Sequence, residues 1–146
     1  MDVLAITPVL NVADVPLSIA WFEKLGWRRC WTYNDRGMIA GGADADEAGR
    51  AGFASVGSGQ VEIFLCHEGQ GSRGGPTPRH ATDETGGVWM TWWMPSTAAV
   101  DEAHALALQH GMTVARPPTN EPWGVREFHL VHPDGHTFRV SCGLSR

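Results

Sequence analysis

At 146 residues the chain has about the length of one domain and is long enough to bury a core. Hydrophobic residues make up 42% and charged residues 18%, which excludes a disordered chain, and no apolar run approaches the ~20 residues of a membrane span. Lys and Arg number 11 against 16 Asp and Glu, a net charge of −5 that argues against nucleic acid and for a neutral or cationic small ligand.

The first residues, MDVLAITPVLNV, are acidic and strand-like with no basic segment, so no signal peptide is expected and the cytoplasm is the expected compartment. Val3 to Val12 is predicted as a strand that Pro8 confines to an edge or irregular position. Asp14-Val15-Pro16 then opens a helix, in which Leu17, Ala20, Trp21, Lys24 and Leu25 recur at helical spacing until Gly26 stops it. Trp27 to Tyr33 is strand-like, and residues 34 to 51 are a loop or ragged hairpin. Phe53 to Val56 and Val61 to Cys66 are two short strands about a Gly57-Ser58-Gly59 turn.

Residues 67 to 87 are rich in Gly, Pro and polar residues and read as a linker. A strand from Val88 to Met94 follows, then a helix opened by Pro95-Ser96 that runs to about His110. Ala99, Ala103, Leu106 and Ala107 form its stripe, and Gly111 stops it. Met112 to Ala115 is a strand. The chain ends in a hairpin, Val125 to Val131 and Thr137 to Val140, about a Pro133-Asp134-Gly135 turn. The order strand, helix with glycine stop, three strands therefore occurs twice. One domain, 1–146, holds a first βαβββ module at 1–68, a linker at 69–86 and a second module at 87–146. Three widely spaced cysteines, Cys30, Cys66 and Cys142, suit buried reduced thiols better than a disulfide framework or a zinc knuckle. Seven Trp against one Tyr is the unusual feature, because Trp fills cores and also lines pockets that stack planar ligands.

Two stretches, NVADVPLSIAWFEKLGW and WGVREFHLVHPDGHTFRVS, resemble the vicinal oxygen chelate superfamily of glyoxalases, extradiol dioxygenases, fosfomycin-resistance and bleomycin-resistance proteins, and most of all its bleomycin-resistance branch. The resemblance covers nearly the whole chain. It implies an α+β fold in which two tandem βαβββ modules form a curled, cup-like mixed sheet with helices outside, commonly completed as a homodimer. In the enzyme branches a divalent metal is held by His, Gln or Glu from four strand positions. Carried onto this sequence, those positions fall on Thr7, Glu62, Trp89 and Arg139. Thr is a poor ligand, Trp is none, and Arg is a fixed cation, so the resemblance with these departures implies no metal, no other cofactor and no catalytic residue.

Residues that share parity with those positions share their face. The expected inward sets are Thr7 and Val9; Gln60, Glu62, Phe64 and Cys66; Trp89, Thr91 and Trp93; and Thr137, Arg139 and Ser141, with Trp123 at the rim. The candidate ligand-binding residues are Trp89, Trp93, Thr91, Trp123, Glu62, Phe64, Thr7 and Arg139. Trp21 and Trp92 are expected in the core, and Arg126 with Glu127 as a structural pair. Arg139 is as suited to pairing with Glu62 as to meeting a ligand. His129, His132 and His136, about the hairpin turn, match no family ligand position and are expected to be solvated or packing residues, with His67 and His80 facing solvent.

The leading expectation is a metal-free protein that sequesters a bleomycin-like or other planar aromatic antibiotic, aromatic or cationic, in a dimer-interface cleft, with no nucleic-acid or membrane partner. The alternative is a divalent-metal-dependent glyoxalase-like lyase, isomerase or dioxygenase with a non-standard ligand set. In that case the ion acts as a Lewis acid.

Overall fold

The computed structural model describes residues 1–34, 37–40, 51–67, 72–73 and 87–145. The chain divides into two compact units, Met1–Gly74 and Gly75–Arg146. Among the described residues, each builds one sheet and covers one of its faces with one helix.

In the first unit, Asp14 caps helix α1 (Val15–Lys24), its Oδ1 accepting from the Leu17 amide at 2.9 Å. Pro16 sits in the first turn, where a missing amide hydrogen costs nothing. Gly26 ends the helix at φ +84°, a conformation that a side chain would strain. The buried residues of α1 are Val15, Ser18, Ile19, Trp21 and Phe22. The expected stripe is corrected in part, since Leu17, Ala20 and Lys24 face solvent and Trp21 alone of the larger predicted set is core. Phe22 is wholly buried, with Trp21 and Trp27 edge-on to it.

The sheet under α1 runs in the order β3-β2-β4-β5-β1-β6, from β1 (Val9–Asn11), β2 (Arg28–Asn34), β3 (Gly37–Ala40), β4 (Phe53–Ser58), β5 (Val61–Cys66) and β6 (Ser72–Arg73). β2, β3, β4 and β5 pair antiparallel, whereas β1 lies parallel to β5 and to β6. The first strand is shorter than predicted: residues 1–8 form no strand, and Val3, Leu4 and Ile6 are exposed. Pro8 lacks the amide hydrogen that would extend the ladder, although its carbonyl still accepts from the Phe64 amide at 2.9 Å.

The second unit repeats the plan with β7 (Trp89–Trp93), helix α2 (Thr97–Gln109), β8 (Thr113–Glu121), β9 (Val125–Val131) and β10 (Thr137–Gly143), in the sheet order β7-β10-β9-β8. Ser96 caps α2 by accepting from the Ala99 amide at 3.1 Å, and Gly111 ends it at φ +66°. β8 is longer than expected. It runs through Pro117-Pro118 as an edge strand and absorbs them in two register shifts against β9. Phe128, Leu130, Phe138 and Val140 point under α2 and are buried, and Trp92 stacks on Phe138 at 4.4 Å between ring centres. No helix among the described residues is long and apolar enough to cross a membrane. None of the three cysteines forms a disulfide. Cys66 is buried as expected, but Cys30 and Cys142 are only half-buried.

Candidate functional site

In the second unit the face away from α2 carries the chemistry. β7 lies parallel to β10 with Trp89 opposite Thr137, Thr91 opposite Arg139 and Trp93 opposite Ser141. On β9, Val131, His129 and Glu127 face the same three β10 residues. Alternation therefore brings Trp89, Thr91, Trp93 and Arg139 onto one face, as the parity of the sequence predicts. Trp89 and Trp93 are 54% and 70% exposed, an unusual disposition for large indoles on a rigid strand. Trp123 is also exposed, in the turn between β8 and β9. Thr137 and Ser141 are buried in the same face.

Glu127 is the centre of this face and was not anticipated as such. It is wholly buried, and Arg139 donates to it from Nε at 3.2 Å to each oxygen and from Nη2 at 3.0 and 2.8 Å. The Ser141 hydroxyl donates to Oε2 at 2.8 Å, and His129 Nε2 lies 3.3 Å from Oε1. Burial alone would raise the pKa of Glu127. The hydrogen bonds from Arg139, Ser141 and His129, with the Arg139 charge, outweigh that and hold the carboxyl below its ordinary value. The expected Arg126–Glu127 pair is corrected: neighbours on a strand point to opposite faces, and Arg126 reaches Asp101 of α2 at 2.8 Å and Asn120 at 3.0 Å. Arg139 likewise spends its bonds on Glu127 of its own sheet.

Trp89 touches the ring of His129 edge-on at 5.4 Å. Of the two expected places for His132 and His136, solvent or packing, the structure shows packing: both are fully buried. The Nδ1 of His132 accepts from the Asp134 amide at 3.0 Å and that of His136 from the Val88 amide at 3.0 Å, so the pair ties the turn and the start of β7 together. His67 is exposed, with Nδ1 3.3 Å from the Val12 carbonyl oxygen; His80 lies outside the described residues.

In the first unit Glu62 and Phe64 share the face of β5 away from α1, while Ile63 and Leu65 are buried on the other face. The Ser55 hydroxyl donates to Glu62 Oε2 at 3.0 Å. Beside it Trp31, Phe53 and Phe64 form a half-buried three-ring cluster, with Trp31 stacked on Phe53 at 5.5 Å and edge-on to Phe64 at 5.1 Å. Trp31 and Phe53 escaped the sequence reading because their faces depend on the register of β2 and β4 and on the irregularity between Arg29 and Trp31. Thr7 is half-buried just ahead of β1, and Gln60 lies in the turn before β5 rather than on an inward strand position.

The residues onto which the resemblance carries the metal positions do not suit a divalent ion. Within the second unit these are an exposed indole and a guanidinium already bonded to a carboxylate, and neither offers a lone pair. In the first, Thr7 and a Glu62 held by a hydroxyl make a weak donor set. Among the described residues no three His, Cys, Asp or Glu side chains converge as a metal cluster.

Among solved structures this chain is similar to TioX from Micromonospora sp. ML1, at 18% identity over 96% of this chain and 100% of that one with a TM-score of 0.66. It is also similar to the bleomycin resistance determinant encoded on the transposon Tn5, at 17% identity over 97% and 98% of the two chains with a TM-score of 0.63. Lactoylglutathione lyase from Agrobacterium tumefaciens gives 15% identity over 98% and 96% with a TM-score of 0.64. At these identities the likeness is one of fold. No functionally curated protein matches the chain by sequence. The sequence profile of the Glyoxalase/Bleomycin resistance protein/Dioxygenase superfamily matches residues 4–140, and with two tandem helix-covered sheets the chain belongs to that superfamily.

Proposed function

We propose that this protein is a metal-free, non-catalytic binder of small molecules that sequesters a bleomycin-like or other planar aromatic antibiotic in a cleft between the subunits of a cytoplasmic homodimer. Sequestration works by mass action, because a bound compound is unavailable to its target. One observation carries the reading. Trp89 and Trp93 stand more than half exposed on the strand beside Arg139, and the resemblance carries donor positions of the enzyme branches onto Trp89 and Arg139. An indole has only two side-chain torsions to fix when a flat ring stacks on it, so the ordering cost of binding is small.

The test is a titration of intrinsic Trp fluorescence on EDTA-treated protein, with bleomycin (with and without Cu²⁺) and a panel of planar aromatic compounds. The expected result is saturable quenching at one site per subunit that is lost in Trp89→Ala or Trp93→Ala. A flat response to bleomycin alone removes that drug from the account. A flat response to the whole panel, with stoichiometric divalent metal in protein purified without a His-tag, replaces the reading with the metal-dependent lyase, isomerase or dioxygenase.

A further inference from the structure

The carboxylates on the exposed face of the second sheet lie beneath arginines, twice over. Glu127 and Glu121 have side chains 1% and 3% exposed, whereas Arg139 and Arg116, to which they are bonded, are 35% and 45% exposed. From the interior outward the order of charge is negative, then positive. The register sets Arg116, His129 and Arg139 opposite one another on β8, β9 and β10, a basic row that spans roughly 10 Å at the usual strand spacing. Trp89 and Trp93 sit two residues either side of Thr91, which faces Arg139, so both indoles are diagonal neighbours of that guanidinium.

Arg139 has a free edge to offer. Glu127 occupies Nε and Nη2, and Nη1 makes no hydrogen bond among the described residues. A guanidinium carries five N–H donors in a fixed fork, and one carboxylate fills a single edge of it. Among the described residues of this face, Glu127 and Glu121 are the carboxylates, and each is already bonded to an arginine.

We propose that this face binds a planar aromatic anion, its carboxylate or equivalent oxyanion on the outer edge of Arg139 and its ring against Trp89 or Trp93. The inference rests on the aromatic-binding reading and narrows it to one charge class. The chain's net charge of −5 favours cations at long range, but that field is screened within about 8 Å at physiological salt. A ligand in contact meets the local charges, and here those nearest the solvent are positive.

The probes are 2-naphthoate, its uncharged isostere 2-naphthamide and cationic 2-naphthylmethylamine, read by Trp quenching. The native protein is expected to bind naphthoate about tenfold or more tightly than naphthamide, the difference that a charge-assisted hydrogen bond gives, and to bind the amine least. In Glu127→Gln/Arg139→Gln, which removes both charges and leaves no orphaned ion, naphthoate and naphthamide are expected to bind alike. If that variant does not fold, Arg139→Lys serves. Its point charge stays with Glu127 and has no second edge for a ligand, so the preference is again expected to fall. Equal affinity for naphthoate and naphthamide in the native protein, a preference that survives both variants, or tightest binding of the amine would overturn the anion site while leaving aromatic binding standing. No quenching by any probe overturns aromatic binding itself, and the anion site with it.

Discussion

Arg139 Nη2 lies 2.8 Å from Glu127 Oε2, yet the two residues are not opposite each other in the sheet: Arg139 faces His129, and Glu127 faces Ser141. The guanidinium crosses one pair diagonally and closes over a carboxylate that has no access to water. Removing the arginine alone leaves that charge buried and uncompensated. Arg139→Met is expected to destabilise the protein by about 3 kcal/mol, while Glu127→Leu/Arg139→Met costs within about 1 kcal/mol of nothing, because both charges leave together. Urea unfolding of the two variants beside the native protein decides it. Equal losses would mean that the pair does not act as a unit.

Adjacent tryptophans on β7 are expected to behave in opposite ways. Trp92, expected in the core, is only half-buried, but it stacks on buried Phe138, so Trp92→Ala should cost about 1–3 kcal/mol. Trp93 is largely in solvent, and Trp93→Ala should change stability by less than about 0.5 kcal/mol. Thermal unfolding of both variants measures the difference. A stability loss at position 93 equal to that at 92 would place Trp93 in a core.

Stability is expected to fall on the acid side in two stages. Burial first, and then repulsion from His136, push the His132 pKa down from 6.5 to about 4, with Asp134 opposing. Above pH 6.5 neither the folded nor the unfolded chain carries a proton there. Between 6.5 and about 4 the unfolded chain binds one and the folded chain does not, so stability drops across that window by up to about 3 kcal/mol. Glu127 acts lower. Its folded pKa is depressed from 4.5, so its contribution is present above that value and is lost as the pH falls through the folded value. Urea midpoints measured from pH 7.5 to 4.5 should decline, and His132→Asn, whose side-chain oxygen can still accept from the Asp134 amide, should flatten the decline. An unchanged slope in that variant would assign the acid sensitivity elsewhere.

Two glycines with tight surroundings should respond differently to a methyl group. A Cβ on Gly87 would lie 2.3 Å from the carbonyl oxygen of Gly135, and backbone cannot step aside without displacing the start of β7. A Cβ on Gly57 would meet the end of the Arg28 side chain and the Cys30 sulfur at 2.8 Å, and side chains can shift. Gly87→Ala is therefore expected to cost about 1–3 kcal/mol or more and Gly57→Ala less, as melting temperatures would report.

Much of the local structure was legible because its causes are local. The Asp14 and Ser96 caps, the Gly26 and Gly111 stops and the Pro133-Asp134-Gly135 turn depend on a few neighbouring residues, and each stands where the sequence places it. Period-two alternation likewise separates Trp92 from Trp89 and Trp93 without any knowledge of the fold. The buried stripe of α1 was less legible. Leu17 and Lys24 fit a helical period, but which arc of that helix meets the sheet is set by how α1 lies across β2, β4 and β5.

By itself the sequence determined the superfamily, the doubled βαβββ order and the side of β7 on which each tryptophan stands, because caps, turns and alternation act over a few residues. Only the tertiary structure decided which charges meet. Glu127 bonds to Arg139, 12 residues away, and not to adjacent Arg126, and of the solvated and packing places open to His132 and His136 the buried one is taken. Ion pairs in a sheet follow the strand register and the face that each residue takes. Both are set by long-range pairing, so nearness along the chain says little about them.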